Sequence, residues 1–531
     1  MVHCAGATTR LLLCNRFVTR SAMTPKRRAT TAGIIVIGDE ILKAYTRDTN
    51  SHFLAKRLFA MGIKVERISV IPDDVAVIAK KVAKYSAKFD HIVTSGGVGP
   101  THDDKTFEGV ARAFNEETKL HEELAALLRV FFKLDEAAVD VSAFPQLKLA
   151  MLPVSSELLW GVDPRTSKKS LYPVVRVRNV VILPGIPRLL ERAFLMIEPF
   201  FGKSDVQFFS HRLYLDIDEF AVAAALSQVA EKFAERAVNI GSYPKWNHSY
   251  YKVKVTVDSI EEEAASQAYA DLSSALREHL VASFDPFPME DCVRKFDAFV
   301  AAAQTNQPQL AKRINDSMAL IEETLAQHPI EETCMAFNGG KDCTALLHML
   351  HIALLKKQKR KEGCGRGEEE RTETLKTVYI KPRNPFRVME VFIQESNDRY
   401  SLELLWLDGA QKTALNRLKA THPRLRVIFM GTRRSDPNSH ALRPVEETDA
   451  DWPSFLRVSP LIGWRYADVW AFLRGLWLHY CPLYDQGYTS IGGEDDTRPN
   501  QALAYTDPLG LRRYKKAHQL ADETKERSGR F

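Results

Sequence analysis

No apolar run in this chain of 531 residues reaches membrane-spanning length, so a helical membrane span is not expected. Its seven cysteines lie far apart, with neither a CxxC pair nor a dense cluster. That argues against a disulfide framework and for a reducing compartment, the cytoplasm, the mitochondrial matrix or both. A strong charge imbalance is also missing: a net charge of +6 is mild for this length and does not by itself argue for nucleic-acid binding. It suits small anionic substrates equally well. What is present, 45% hydrophobic and 26% charged residues, is the composition of a soluble globular protein. The chain is too long for one ordinary core, so two or three domains are expected.

Acidic residues are absent from positions 1–38, which hold Arg10, Arg16, Arg20, Lys26, Arg27 and Arg28. Leu11, Leu12, Leu13, Phe17 and Val18 can share one apolar face. Residues 1–32 therefore resemble a mitochondrial presequence, with a disordered basic tail as the equal alternative and Met23 as an internal start that would omit it.

From Gly33 strands and helices alternate: GIIVIG, a helix over about 50–61, VERISVI, a helix over about 75–88, and HIVTSGG. Crossover helices between strands imply a parallel sheet whose loops gather at the carboxyl ends of the strands. Those loops carry Asp39, Glu40, Asp48, Thr49 and Asn50, then Gly96, Gly97, Gly99, Pro100, Thr101, Asp103, Asp104 and Thr106. Glycines with threonine hydroxyls can cradle an anion and carboxylates can hold a hard cation, although either loop alone is equally a capped turn. Taken together, GDEIL with DTN and SGGVGPTHDD with KT resemble the molybdopterin-binding domain shared by the CinA family and molybdenum-cofactor proteins. The resemblance runs from about Gly33 to Phe194, giving a domain at 33–195, although Lys43 to Tyr45 lacks the glycine usual after GDEIL.

Residues 196–285 read as a small α+β unit: RLYLDID, a helix over about 219–234, VNIGSYP, YKVKVTVDS and a helix over about 260–280. This order fits a split βαβ arrangement. It shows no catalytic constellation, and packing or dimerisation is its expected role. A linker at 286–311 and a second α/β domain at 312–531 follow.

In that second domain FNGGKDCTALLHML, Phe337 to Leu350, reads as the end of a buried strand, a glycine turn at Asn338, Gly339 and Gly340, and a helix. Glycines let the backbone approach an anion, while amides at the helix start and the Lys341 ammonium supply positive potential. The Walker pattern is missing, because Asp342 rather than Ser or Thr follows the lysine. A carboxylate facing phosphates must cap the helix or hold a magnesium ion. The strand LRVIFM then ends in GTRRSDP, so a parallel sheet brings Gly431, Arg433, Arg434 and Asp436 to the edge that carries the glycine turn. Arginine grips phosphate through its planar fork and stabilises charge during phosphoryl transfer. Beyond lie a helix over about 466–477, an aromatic cluster in which Trp464 and the loop tyrosines are the freer residues for stacking, and a final helix expected at 514–527 facing solvent. Between the glycine-turn helix and LKTVYI, the charge blocks of KKQKRKEGCGRGEEERTE read as a surface loop.

In this order, FNGGKDCTALLHML, YIKPRNPFRVMEVFI, FMGTRRSDP, SPLIGWRYADVWAFL and TRPNQAL resemble the eukaryotic FAD synthase family, FMN adenylyltransferases with the fold of adenylyl-sulfate reductases and N-type ATP pyrophosphatases. The resemblance covers about Lys312 to Phe531. It implies two parallel-sheet α/β domains joined by a small α+β unit, and an adenylyl transfer from magnesium ATP to FMN that yields FAD and pyrophosphate. It also implies an ATP site at Asn338, Gly339, Gly340, Lys341, Cys343, Thr344 and Gly431. Asp342, Arg433, Arg434 and Asp436 would be catalytic, with Asp342 as metal ligand or cap, and Trp464, Arg498 and Asn500 would contact flavin. Cys343 stands where the wider superfamily often has serine, leaving open whether a hydroxyl is needed there or Thr344 supplies it. Because CinA-like domains are associated with nucleotide pyrophosphatase activity, the first domain is a second candidate, for FAD hydrolysis. Its site would hold Asp39, Gly96, Gly97, Thr101, Asp103 and Asp104, with Asp103 and Asp104 as metal ligands. Apo-flavoproteins are conceivable recipients of FAD. A molybdenum-cofactor binding or scaffold protein is the alternative from another class. A sulfonucleotide reductase is disfavoured because Cys481 is isolated among aromatics, and a tRNA-thiolating enzyme because paired cysteines and a basic RNA surface are missing.

Overall fold

The computed structural model describes residues 30–135, 139–163, 167–202, 206–246, 248–362 and 374–531. The basic leader, up to residue 29, and residues 363–373 of the charged stretch lie outside the described residues. Among the described residues no helix is long and apolar enough to cross a membrane. The chain divides into two compact units, one of residues up to His211 with 229–240 and 257–270, the other of 212–228, 241–256 and 271–531.

In the first unit six strands form one sheet in the order Lys64–Ile71, Thr31–Ile37, His91–Ser95, Val180–Leu183, Val174–Val177, Ser156–Leu159. The first four are mutually parallel and the last two close the sheet antiparallel. Thr31–Ile37 is buried along its whole length, as a central parallel strand must be. Its side chains alternate between two cores: Ile35 and Ile37 pack with Ile78, Val82 and Tyr85, whereas Ile34 and Val36 pack with Leu54 and Leu58. The middle stretch shows the expected element order, strand Phe209–Leu215, helix Glu219–Lys232, strands Asn239–Pro244 and Val253–Ser259, and helix Glu262–Ala275.

The second unit has a six-stranded sheet in the order Glu403–Asp408, Lys376–Lys381, Thr333–Ala336, Val427–Phe429, Leu456–Val458, Val445–Glu447, with only the last pair antiparallel. Thr333–Ala336 and Val427–Phe429 are adjacent and parallel, so the residues after Ala336 and after Phe429 leave at one edge. Helix Lys341–Glu362 starts there. It buries Ala345, Leu346, Leu347, Met349, Leu350 and Ile352 against a core that also holds Met335, Phe429 and Phe472.

Three expectations are corrected. The span 286–311, expected as a linker, contains helix Cys292–Asn306, whose Cys292, Phe296 and Val300 join the main core at helical spacing. The charged run KKQKRK does not begin a loop, because helix Lys341–Glu362 continues through it. The helix expected at 514–527 does not form; strand Arg512–Tyr514 and short turns Ala517–Gln519 and Glu523–Lys525 take its place. The reason is local competition for backbone groups. The carbonyls of Lys525 and Glu526 accept from Asn500 Nδ2 and Thr489 Oγ1, and Asp522 caps Thr524.

Candidate active site

The turn after Ala336 is built from what its residues can do locally. Gly339 sits at φ +72°, in the left-handed region that glycine tolerates best. Asn338 Oδ1 accepts from Gly340 N at 3.0 Å, and Thr344 Oγ1 donates to Gly340 O at 2.9 Å. Lys341 N donates to Tyr484 Oη at 2.8 Å. The amides of Gly340 and Lys341, expected to be open for an anion, are therefore satisfied by side-chain oxygens of the chain itself. Gly431, on the neighbouring strand's exit, approaches so closely that a β-carbon there would lie 2.9 Å from Cys343 N. The two segments interlock.

Lys341 does not present its ammonium to open space. It is 2% exposed, and Nζ lies 2.6 Å from Glu526 Oε1, 3.0 Å from Asp342 Oδ2 and 5.1 Å from the centre of the Tyr466 ring. Arg433 is 1% exposed, with Nε 2.7 Å from Asp342 Oδ1 and Nη2 2.5 Å from Glu526 Oε1. Two cations and two carboxylates thus form a closed quartet. Burial alone would raise the Asp342 pKa, but the charges of Lys341 and Arg433 outweigh it and hold the carboxyl below its usual 3.8. Asp342 is here the counter-ion of both Lys341 and Arg433. Cys343 beside it is a half-buried residue whose thiol is pushed up to about 12, by desolvation first and the Asp342 charge second. Such a thiol stays protonated and is no nucleophile at neutral pH. Thr344, the other hydroxyl candidate, is spent on the turn.

Arg434 differs from its neighbour. Its side chain is exposed, with Nη1 donating to His440 O at 2.9 Å, and it lines a cavity of about 300 Å³ with Arg465, Gly463, Ser435, Glu523 and Glu526. Asp436 is half-buried and turns back on the loop, Oδ2 accepting from Arg433 N at 2.8 Å, while Oδ1 has Arg527 at 3.8 Å. Burial raises its pKa.

The three expected flavin contacts fare differently. Trp464 borders the cavity but is 3% exposed, its indole N–H donating to Ser317 Oγ at 2.9 Å and its ring packed edge-on to Phe472. Asn500 is fully buried: Nδ2 spends both its N–H groups on Thr489 Oγ1 and Lys525 O, and Oδ1 accepts from Ala502 N. Arg498 is exposed and spent on the carbonyls of Glu494 and Thr497. These two shape the loop that seats residues 525–530, since Gly529 O accepts from Arg498 N at 2.8 Å. Sequence reasoning missed Glu526 altogether.

In the first unit the expected loops do converge. Gly96 and Gly97 both take positive φ, Thr106 Oγ1 donates to Gly96 O at 2.8 Å, and a β-carbon on Gly185 would meet Gly96 Cα at 3.2 Å. Asn50 Nδ2 bridges Ser95 Oγ and Gly185 O. Asp39 pairs with Lys43 at 2.8 Å, and its amide donates to Asp73, a carboxylate that sequence reasoning passed over. Asp104 Oδ2 accepts from both Thr101 N and Thr101 Oγ1. Asp103 points out beside His102. Among the described residues no group of three His, Cys, Asp or Glu side chains is placed to hold a metal ion.

Comparisons with known proteins match this layout segment by segment. Residues 33–203 match the model "Probable molybdopterin binding domain", 207–285 the "FAD synthase, middle domain" and 332–499 the "Phosphoadenosine phosphosulfate reductase domain". The flavin adenine dinucleotide synthase of Saccharomyces cerevisiae is 31% identical over 37% of this chain and 67% of its own. A solved structure, Candida glabrata FMN adenylyltransferase in complex with FMN and the ATP analogue AMPCPP, aligns at 26% identity with 46% of this chain and 96% of its own, at a TM-score of 0.42. The "Probable FAD synthase" of Caenorhabditis briggsae is 37% identical over 95% of this chain and 97% of its own. That of Caenorhabditis elegans is 38% identical over 97% of this chain and 99% of its own. With likeness extending over 95% and 97% of its length, the chain belongs to the FAD synthase family.

Proposed function

We propose that the protein transfers the adenylyl group of ATP to FMN, forming FAD and pyrophosphate. The carrying observation is that the glycine turn and the Gly431 exit interlock at one sheet edge, in a chain similar over 97% of its length to a "Probable FAD synthase". In this reaction an oxygen of the FMN phosphate attacks the α-phosphorus while the bond to the β-phosphate oxygen breaks, and pyrophosphate leaves with the electron pair. No covalent enzyme intermediate is needed, so the chain's task is positioning and charge neutralisation. In this reading Arg434, which lines the cavity, is the arginine that meets phosphate oxygens, and the quartet of Lys341, Arg433, Asp342 and Glu526 holds the turn. The molybdenum-cofactor reading is not favoured, because the relatives that match 95% and 97% of the chain bear the name "Probable FAD synthase".

Magnesium is part of the proposal. Asp342 is committed to two cations, whereas Asp436 keeps Oδ1 with only Arg527 at 3.8 Å, so Asp436 is the carboxylate that fits a magnesium ion held mainly by phosphate oxygens. When bound, the ion would neutralise charge on the leaving pyrophosphate. Purified protein with FMN, magnesium and ATP labelled on the α-phosphate should yield labelled FAD; no transfer of label would sink the proposal.

A further inference from the structure

Glu526 holds a position that the reaction itself must contend with. Its Oε1 lies between Lys341 Nζ at 2.6 Å and Arg433 Nη2 at 2.5 Å and accepts from both cations. The side chain does not arrive there by chance of a loose loop. The Glu526 carbonyl accepts from Thr489 Oγ1, the Lys525 carbonyl from Asn500 Nδ2, and Asn500 in turn binds Thr489, with Thr489, Asn500 and Glu526 buried. Glu523 Oε1 fastens the preceding turn to Ala467 N. A backbone pinned on both sides leaves only side-chain rotation, so the carboxylate is aimed at the two cations by construction.

Charge balance supplies the consequence. With Glu526 ionised, Lys341 and Arg433 face two carboxylates and the quartet is neutral; without it, one buried positive charge is left over beside the phosphate site. A surplus cation there would tighten binding of ATP and pyrophosphate alike. It would do so in the ground state and product state, which slows turnover rather than speeding it.

We infer that Glu526 is a positioning residue that occupies a phosphate-oxygen place between Lys341 and Arg433, withholding these cations from the nucleotide so that pyrophosphate can leave. The inference rests on the phosphate site being that of the adenylyl transfer proposed above. Glu526→Gln in the full chain should lower the inhibition constant for pyrophosphate and the KM for ATP on the order of tenfold, the worth of one added charge-assisted contact, and reduce kcat. A merely structural residue would raise both constants. Lys341→Met combined with Glu526→Gln removes one cation with one anion and should bring pyrophosphate affinity back toward the unmutated value, whatever each change does to stability. Direct pyrophosphate binding by calorimetry, with magnesium present, separates the two proposals. If the unmutated protein forms no FAD, the assigned reaction fails, yet tighter pyrophosphate binding by Glu526→Gln would still show that Glu526 withholds Lys341 and Arg433 from phosphate oxygens. Unchanged or weaker pyrophosphate binding by that variant would overturn it.

Discussion

Arg433 and Arg434 are adjacent in sequence and opposite in situation, which decides what each can do. Arg433 is enclosed by Asp342 and Glu526, so its replacement strands two carboxylates with Lys341 alone. Breaking a buried pair by removing one partner costs about 3–5 kcal/mol. Arg433→Met should therefore show first as a lower unfolding midpoint, with activity lost through the disordered turn. Arg434 stands at the cavity wall with a single carbonyl contact. Arg434→Ala should leave the unfolding midpoint nearly unchanged while kcat/KM falls by roughly tenfold to a hundredfold, the scale of one lost charge-assisted hydrogen bond to a phosphate. Parallel thermal unfolding and steady-state kinetics on the two variants check this, and equal loss of stability in both would refute the distinction. Sequence alone placed both arginines at the right edge but could not tell them apart, because enclosure depends on Glu526, which lies 93 residues further along.

At the scale of elements, the strands and helices were legible because their apolar periods are clean. Strand Thr333–Ala336, the glycine turn and helix Lys341–Glu362 follow in the order read from FNGGKDCTALLHML, and Gly431 emerges beside them. What periodicity could not show is where a segment without it goes. Residues 515–531 carry no apolar stripe, and their course is set by Thr489 and Asn500 binding backbone carbonyls, a tertiary effect that overrides helix propensity. The interlock of the two exits is itself testable. A β-carbon on Gly431 would press on backbone, Cys343 N at 2.9 Å and Asp342 C at 3.1 Å, whereas one on Gly340 would meet mainly the Asn338 side chain. Gly431→Ala should thus raise the KM for ATP by about tenfold or more with circular dichroism unchanged, since a misplacement near 1 Å carries that order of penalty. Gly340→Ala, where a side chain can yield, should do less; the reverse ranking would show that the strand exit does not set the turn.

For the molecule as a whole, the second unit contains a set of histidines that should govern its behaviour in acid. His348 is buried against Tyr400, with Nδ1 3.2 Å from the hydroxyl, and burial lowers its pKa from 6.5 to about 3. His248, His479 and His518, less fully enclosed, are lowered to about 4, again chiefly by desolvation. A neutral histidine that refuses protons when folded accepts them readily when unfolded. Stability is therefore complete above the unfolded value of 6.5 and drains away as pH falls toward the folded values. His348 alone should contribute a loss of about 1.4 kcal/mol per pH unit in that window, with smaller additions from the three more exposed rings. The buried quartet works in a different range. Asp342, held below 3.8, keeps its contribution until pH falls beneath that value, so it cannot be the cause of a decline that begins near neutrality. Urea unfolding followed between about pH 7 and pH 5 should show the midpoint falling steadily, and His348→Gln should flatten the slope by its one proton. A midpoint level across this range, or a slope untouched by His348→Gln, would mean that the unit takes up these protons while still folded.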